Sequence, residues 1–408
     1  MKALHRRCAG LDVHSESVVA CARVTAKGKT SREVRRVSTA TRDLMELADW
    51  LEAQGITHVA MEATGVYWKP VWHILESRFE LVLANAAQVR NVPGRKSDVN
   101  DATWIADLLA HGLIRASFVP PQPVQELRDL TRTRKQLTRE VVQHTQRIQK
   151  TLEDANIKLT TVIADIMGVS GRRILKALVA GETRADTLAE LGSQRLKCPK
   201  PDLIRALEGR VTAHHRFLIG HHLGLIEELE RRIAAFDARI GEVLAPFRDA
   251  AERLMTIPGV SRTSAEVILA EIGPDMSPFP TAGHLLSWAG LVPRLDESAG
   301  KRRSTRLRYG APWLKPVLVQ CAWGAARSKG TYYQAQFHRL KARRGPKKAA
   351  IAIAASILTA AYHMLKDGTF HHDLGPDHVF KRDTARTVAR LARRIKDLGY
   401  DVHYRAAA

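Results

Sequence analysis

Along the first hundred residues the apolar positions come in short runs separated by turns. Ala9-Gly10-Leu11-Asp12-Val13 reads as a short apolar strand carrying one acid, and His14-Ser15-Glu16 as a polar turn. Ser17 to Val24 is a second strand, Lys27-Gly28-Lys29 the next turn, and Arg32 to Val37 a third strand. Three strands joined by such short turns predict an antiparallel meander. The period then changes to three and four. Thr41 is placed to cap a helix to Gln54 with Leu44, Leu47, Ala48 and Leu51 facing inward, and Gly55 ends it. Thr57 to Glu62 is a fourth strand, Tyr67 to Ser77 an aromatic helix, and Phe79 to Ala84 a fifth strand. After a basic loop (Arg90, Arg95, Lys96), Asp98 opens a helix with Ala102, Ile105, Leu108 and Leu109 as its apolar stripe.

The order β-β-β-α-β-α-β-α is the layout of the RNase H-like fold, so this part is expected to be α/β. In that layout the first strand lies beside the fourth, which makes Asp12 and Glu62 neighbours. Asp98 and Asp101 share one face of the last helix near its N-terminus, and that helix crosses the same end of the sheet. Four converging carboxylates repel one another unless cations compensate them, and oxygen ligands of this kind suit Mg²⁺ or Mn²⁺. Two such ions can activate a nucleophile and stabilise a leaving oxygen on a phosphate. Simpler readings exist for three of the acids: a helix start favours Asp98 and Asp101 anyway, and Glu62 at a strand end can be solvated. Asp12 inside an apolar strand is the least easily explained by structure alone.

Pro120-Pro121-Gln122-Pro123 marks a stiff boundary, and from Val124 the pattern is continuously helical. Leu127, Leu130, Arg134, Leu137, Val141, His144 and Ile148 alternate spacings of three and four, and Leu152, Ala155 and Leu159 continue the stripe after one stutter. This is the pattern of a coiled-coil seam with two polar interruptions. The outer face carries Arg128, Arg132, Lys135, Arg139, Arg147 and Lys150. A second long helix, about His214 to Leu244, has its own stripe, so the two are expected to pack antiparallel as one hairpin. The pattern fits a structural stalk, or a dimerisation arm that also rests on nucleic acid.

Ile257-Pro258-Gly259-Val260 between two helical segments reads as a helix-hairpin-helix-like element, suited to phosphate. Residues 294 to 308 hold six Arg and Lys (Arg294, Lys301, Arg302, Arg303, Arg306, Arg308) against two acids. Ser298, small and close to Gly300, is placed to act as a nucleophile towards a phosphodiester, with the arginines on the nonbridging oxygens; a serine in an ordinary basic loop would look the same. Pro312 to Arg327 and Lys347 to Leu365 read as helices, the second alanine-rich and buried. Basic residues interleaved with Tyr332, Tyr333 and Phe337 suit a nucleic-acid surface. The expected parts are a catalytic domain at 1–118, a helical arm at 119–250, a mainly α-helical domain at 251–368 and a basic tail at 369–408.

Composition narrows the partner. The 408 residues hold 64 Lys and Arg against 42 Asp and Glu, a formal charge of +22, which favours a polyanion and most simply nucleic acid. Four scattered cysteines suggest neither a zinc site nor a disulfide framework and fit a reducing compartment. The N-terminus lacks the apolar stretch of a signal peptide, and the run from Ala349 to Ala361 is too short for a membrane span. A cytoplasmic, nucleoid-associated protein without a membrane anchor is expected.

The motifs together resemble the insertion-sequence one-ten (IS-one-ten) family of DEDD transposases. Gly10-Leu11-Asp12-Val13-His14, Met61-Glu62-Ala63-Thr64-Gly65 and Lys96-Ser97-Asp98-Val99-Asn100-Asp101-Ala102 are similar to its RuvC-like domain. Ile257-Pro258-Gly259-Val260, Ala289-Gly290-Leu291-Val292-Pro293 and Glu297-Ser298-Ala299-Gly300-Lys301-Arg302 are similar to its second transposase domain. The resemblance implies that Asp12, Glu62, Asp98 and Asp101 bind Mg²⁺ and that Ser298 links covalently to DNA. It also implies a homo-oligomer (dimer or tetramer) that acts on donor and target DNA with a structured noncoding bridge RNA. Arg306-Leu307-Arg308-Tyr309-Gly310 departs from the family pattern, which has a lysine before the glycine. The competing expectations are a RuvC-type junction resolvase or nuclease using water, and a non-enzymatic basic RNA-binding protein.

Overall fold

The computed structural model describes residues 3–63, 65–84, 98–293, 296–304, 306–378 and 384–403, with residues 98–100, 296, 298, 302, 303 and 386 described by their backbone alone. It divides into two compact units, Met1–Val119 and Pro120–Ala408.

The first unit runs β1 (Arg7–Val13), β2 (Ser17–Ala26), β3 (Lys29–Ser38), α1 (Thr41–Ala53), β4 (His58–Glu62), α2 (Trp68–Leu75), β5 (Glu80–Ala84) and α3 (Asp98–Ala110). The sheet order is β3-β2-β1-β4-β5. β1 pairs antiparallel with β2 and parallel with β4, so the first strand lies beside the fourth. Strand alternation sends successive side chains to opposite faces. Ala9, Leu11 and Val13 join Val18, Ala20, Val59 and Met61 in a core under α1 and α2. Cys8 and Ala60 pack with Ile105 and Leu109 of α3, and Val19 and Cys21 with Ala102 and Ala106.

The second unit contains α4 (Gln122–Asp154), α5 (Leu159–Val162), α6 (Val169–Ala180), α7 (Ala185–Glu190), α8 (Lys200–Leu207), α9 (Ala213–Val243), α10 (Arg248–Met255), α11 (Arg262–Ile272) and α12 (Ala282–Ala289). There follow β6 (Asp296–Ser298), β7 (Lys301–Ser304), α13 (Leu314–Ala325), α14 (Tyr332–Arg344), α15 (Pro346–Asp367) and α16 (Thr384–Lys396). α4 and α9 pack along one another, antiparallel. The stripe on α4 does not continue to Leu159. The helix stops at Asp154, Asn156 takes a left-handed φ of 55°, and Leu152, Ala155 and Leu159 enter a separate core with α6 and α9.

Two further expectations are corrected, one in the arm and one in the helices that follow it. Arg128 and Arg132 are not on a free outer face. Arg128 donates to the carbonyls of Ala270 and Glu271 at 3.1 and 2.6 Å, and Arg132 grips the Glu271 carboxylate at 2.8 and 2.9 Å. The C-terminus of α11 presents unpaired carbonyls and partial negative charge, which draws the two guanidinium groups inward. α15 is also longer than the run that announced it: at 22 residues it has the length and apolar composition to cross a membrane. Ala349, Ala350, Ile353, Ala354, Ile357, Leu358 and Ala361 bury one side of it, and it packs on α10, α12, α13 and α14.

Candidate active site

β1 and α3 approach so closely that the interface admits no side chain at residue 10. A Cβ there would lie 2.2 Å from the Ala102 carbonyl oxygen and 2.4 Å from the Ala106 nitrogen. Cys8 Sγ donates to the Ala106 carbonyl at 3.5 Å, and the Leu4 nitrogen donates to the Ala110 carbonyl. Moving from residue 4 into β1 and up to residue 10 therefore means moving down α3 from 110 to 102. The N-terminal turn of α3, with Asp98 and Asp101, sits at the C-terminal end of β1, where Asp12 is.

Asp12 and Glu62 reach the same place from the strands. Leu11 and Met61 are in register, so the next residues on the two parallel strands are Asp12 and Glu62. Both alternate with residues that face α3: Cys8 and Gly10 precede Asp12, and Ala60 precedes Glu62. The cross-strand partner of Asp12 is Val19, which packs on α3. Asp12 is only 7% exposed. Its carboxylate makes a 3.0 Å hydrogen bond with His14 Nε2. His14 is expected in a turn; it follows just past the end of β1, two residues after Asp12, the spacing at which an extended chain returns a side chain to the same side.

The Asp98 side chain lies outside the described residues, and the loop before it, with Arg90, Arg95 and Lys96, lies wholly outside them. Asp101 is half-buried. Among the described residues no three His, Cys, Asp or Glu side chains stand close enough to hold a metal ion. The donor type does fit one: the strand ends and the helix start supply hard carboxylate oxygens, the ligands of Mg²⁺.

Asp107, one turn from the other end of α3, belongs to a separate arrangement. Arg23 donates to it at 2.8 Å and Arg32 to both its oxygens at 3.0 Å. Arg23 is 5% exposed, so this pair neutralises a buried guanidinium. Nearby, burial pushes the Cys8 thiol up to about 11 and raises Cys21 as well. Both are small core side chains here.

In the second unit, residues 294–308 are not an irregular basic loop. Asp296–Ser298 and Lys301–Ser304 form an antiparallel hairpin in which Ser298 pairs with Lys301. The two residues between them, Ala299 and Gly300, have φ of 51° and 72°, as a tight two-residue turn of primed type requires. Ser298 is thus the last strand residue before the hairpin tip; its side chain, like those of Arg302 and Arg303, lies outside the described residues, as does Arg294 entirely. Lys301, Arg306 and Arg308 are exposed. At the base of the excursion a Cβ on Gly310 would lie 2.4 Å from the Ala289 carbonyl. Pro293 and Leu307 form a bridge just beyond. This neck of touching backbones fixes where the hairpin leaves the helical body.

The Ile257-Pro258-Gly259-Val260 turn connects α10 and α11. Gly259, at φ 86°, lies against α13, where a Cβ would meet the Cys321 carbonyl at 2.3 Å. Ser261 caps α11 by accepting from the Ser264 nitrogen. The glycine is thus required by turn conformation and by packing on α13.

Residues 9–157 match the family model of IS110-type DEDD transposases, and residues 251–339 match that of the IS116/IS110/IS902 transposase family. A 42 kDa protein of insertion element IS900 from Mycobacterium paratuberculosis is 25% identical over 331 residues, covering 72% of this chain and 80% of its own length. The transposase of insertion sequence IS1328 from Yersinia enterocolitica is 26% identical over 268 residues, 65% of this chain and 69% of its own. A 43.6 kDa protein of element IS110 from Streptomyces coelicolor is 33% identical over 127 residues, which are 30% of either chain.

Proposed function

The chain belongs to the IS110/IS116 family of insertion-element transposases, and from that premise we propose that it is a DNA recombinase that excises and inserts a mobile element. The reading rests most on one observation: Asp12 and Glu62 lie at the C-terminal ends of adjacent parallel strands, in register with residues that pack on α3, whose first turn carries Asp98 and Asp101. An RNase H-like, RuvC-like catalytic domain at 1–118 accounts for this convergence. The four acids are the ligand set for Mg²⁺ or Mn²⁺. A cation held by them would supply positive charge to a scissile phosphate.

Ser298 is the proposed nucleophile. Its hydroxyl oxygen bonds to phosphorus, the bond from phosphorus to one strand's oxygen breaks, and that oxygen leaves with the proton. Attack by a hydroxyl of another strand reverses the exchange and joins the new pair, so the phosphodiester count is conserved. Lys301, Arg302 and Arg303 of β7, with Arg294, Arg306 and Arg308 near them in sequence, are the proposed holders of the phosphate oxygens. The helical arm at 119–250 and the helical domain at 251–368 serve assembly and strand binding, in a homo-oligomer. A bridge RNA pairing with donor and target DNA would leave the protein mostly backbone contacts, which suits a charge of +22.

The test is to incubate the protein with DNA spanning an element end and Mg²⁺, denature, and map any protein–DNA adduct by mass spectrometry. The expected adduct is on Ser298, absent from Ser298→Ala. Free ends with full activity in Ser298→Ala would assign the site to a water-using nuclease instead. DNA left uncut, with nucleic-acid binding unchanged in Asp12→Asn, would leave only a binding protein.

A further inference from the structure

β3 carries three arginines, and their partners differ. Arg32 closes on Asp107 with both its oxygens at 3.0 Å. Arg35 donates to Glu33 at 3.1 and 3.0 Å and lies over the Trp50 ring. Arg36 meets no carboxylate among the described residues. Its Nε and Nη2 donate to the Ser17 hydroxyl at 3.3 and 3.2 Å, and the residue is exposed.

The register of the sheet fixes what Arg36 borders. Arg36 pairs with Val19 of β2, and Val19 with Asp12 of β1. Directly opposed residues share a face, so Arg36, Val19 and Asp12 form one row across adjacent strands, on the face where Val19 packs on α3. Two strand spacings, about 10 Å, separate the ends of the row. Ser17 is nearer than Val19 to the turn that joins β1 and β2, so the guanidinium leans towards that turn. His14 stands in the same turn: its ring holds the Asp12 carboxylate at 3.0 Å, and its backbone nitrogen donates to the Ser17 carbonyl at 2.9 Å. Arg35, paired with Ala20, belongs to the opposite face, over the core beneath α1.

This placement has an electrostatic consequence. Asp12 and its neighbouring acids repel a DNA backbone, so a strand held there needs positive charge beside the site as well as in it. Arg32 is already neutralised by Asp107. Arg36 is not, because a hydroxyl orients a guanidinium without cancelling its charge. Ser17 occupies the Nε edge; the edge formed by Nη1 and Nη2 is a second two-donor fork of the kind that matches phosphate oxygens.

We propose that Arg36, oriented by Ser17, binds a phosphate flanking the scissile one on the strand held at the acidic site. It is a substrate-binding residue of the catalytic unit, additional to the basic residues around Ser298. This rests on the cleavage reading above and deepens it.

The test uses the full-length protein and duplex DNA spanning an element end, with cleavage rate followed against DNA concentration and affinity followed against salt. Arg36→Ala is expected to raise KM about tenfold, the scale of one charge-assisted contact, with kcat near wild type. The slope of log affinity against log salt should become shallower by about 0.9, the share of one phosphate on duplex DNA. Arg36→Lys should keep the slope. Arg35→Ala, which removes the same charge from the opposite face, should bind and cut as wild type does. Neutral methylphosphonate links then locate the contact: at a position beside the scissile phosphate, the link should weaken wild type and leave Arg36→Ala unaffected. An unchanged KM and slope in Arg36→Ala, an equal loss in Arg35→Ala, a slope lost in Arg36→Lys as well, or no link to which Arg36→Ala is insensitive overturns the contact while the cleavage reading stands. Wild-type protein that neither binds nor cuts the DNA overturns both.

Discussion

A single hydrogen in place of a side chain sets the geometry of the acidic site. Gly10 lets the α3 backbone lie directly on β1, and this contact brings the helix start to the Asp12 end of the strand. Gly10→Ala forces backbone against backbone, with no flexible side chain to yield, and overpacking of this kind costs about 3 kcal/mol or more. We expect a lower melting temperature and loss of strand cleavage together. Asp12→Asn separates the two effects: cleavage is lost while melting changes little, because the amide still offers an acceptor to His14. Circular dichroism melts beside a cleavage assay check both, and an Asp12→Asn protein that cuts at the wild-type rate would remove Asp12 from the proposed chemistry. The burial of Asp12 was legible in the sequence, because it sits inside an apolar strand. The role of Asp107 was not, because its partners Arg23 and Arg32 lie 84 and 75 residues away and nothing in the local pattern joins them.

Among the elements, those with a full apolar period were readable and those without were not. α11 lies where the sequence puts the helical segment after Ile257-Pro258-Gly259-Val260, since buried positions recur from Ala265 to Ile272. α14 was read only as aromatic and basic composition, because Tyr333 and Phe337 are its only fully buried side chains and two positions make no stripe. The β6–β7 hairpin was hidden by charge: its strands alternate almost no apolar residues, and its turn is Ala-Gly rather than a stronger turn pair. The α4–α9 hairpin was readable, and its polar interruption gives it a pH response. His144 and His222 face each other across it with their Nδ1 atoms 3.1 Å apart. Burial lowers both, and Arg147 and His221 lower them further, while Glu140 opposes this at His144. The unfolded chain therefore takes up protons near the ordinary histidine value of 6.5 that the folded hairpin refuses. Stability is present above that value and falls as pH drops below it. Melts between pH 7.5 and 5 (on the order of the interval around the free histidine value) should show a decline that His222→Leu flattens; an unchanged decline would locate the response elsewhere.

For the whole molecule, the consequence lies in how the proposed chemistry is divided. Asp12, Glu62, Asp98 and Asp101 belong to Met1–Val119, and Ser298 to Pro120–Ala408. Each unit has its own core, so neither needs the other's active residues in order to fold. In the proposed chemistry a cut requires an acidic set and a serine at one phosphate, and in an oligomer these can come from different copies. Sequence could name the two halves by motif but could not say whether one chain supplies both, because spacing along a chain does not fix which copy's unit meets which. Mixed assemblies of Asp98→Asn and Ser298→Ala proteins decide the matter. If the halves come from different copies, a mixed dimer holds one site with both halves intact, and cleavage should return to a substantial fraction of wild type although each variant alone is dead. If each chain completes its own site, every site in the mixture lacks one half and the mixture stays inactive. The adduct identifies the donor as well. In the mixture it should form only on the Asp98→Asn chains, which retain Ser298, and a mass tag on one variant makes that assignment direct.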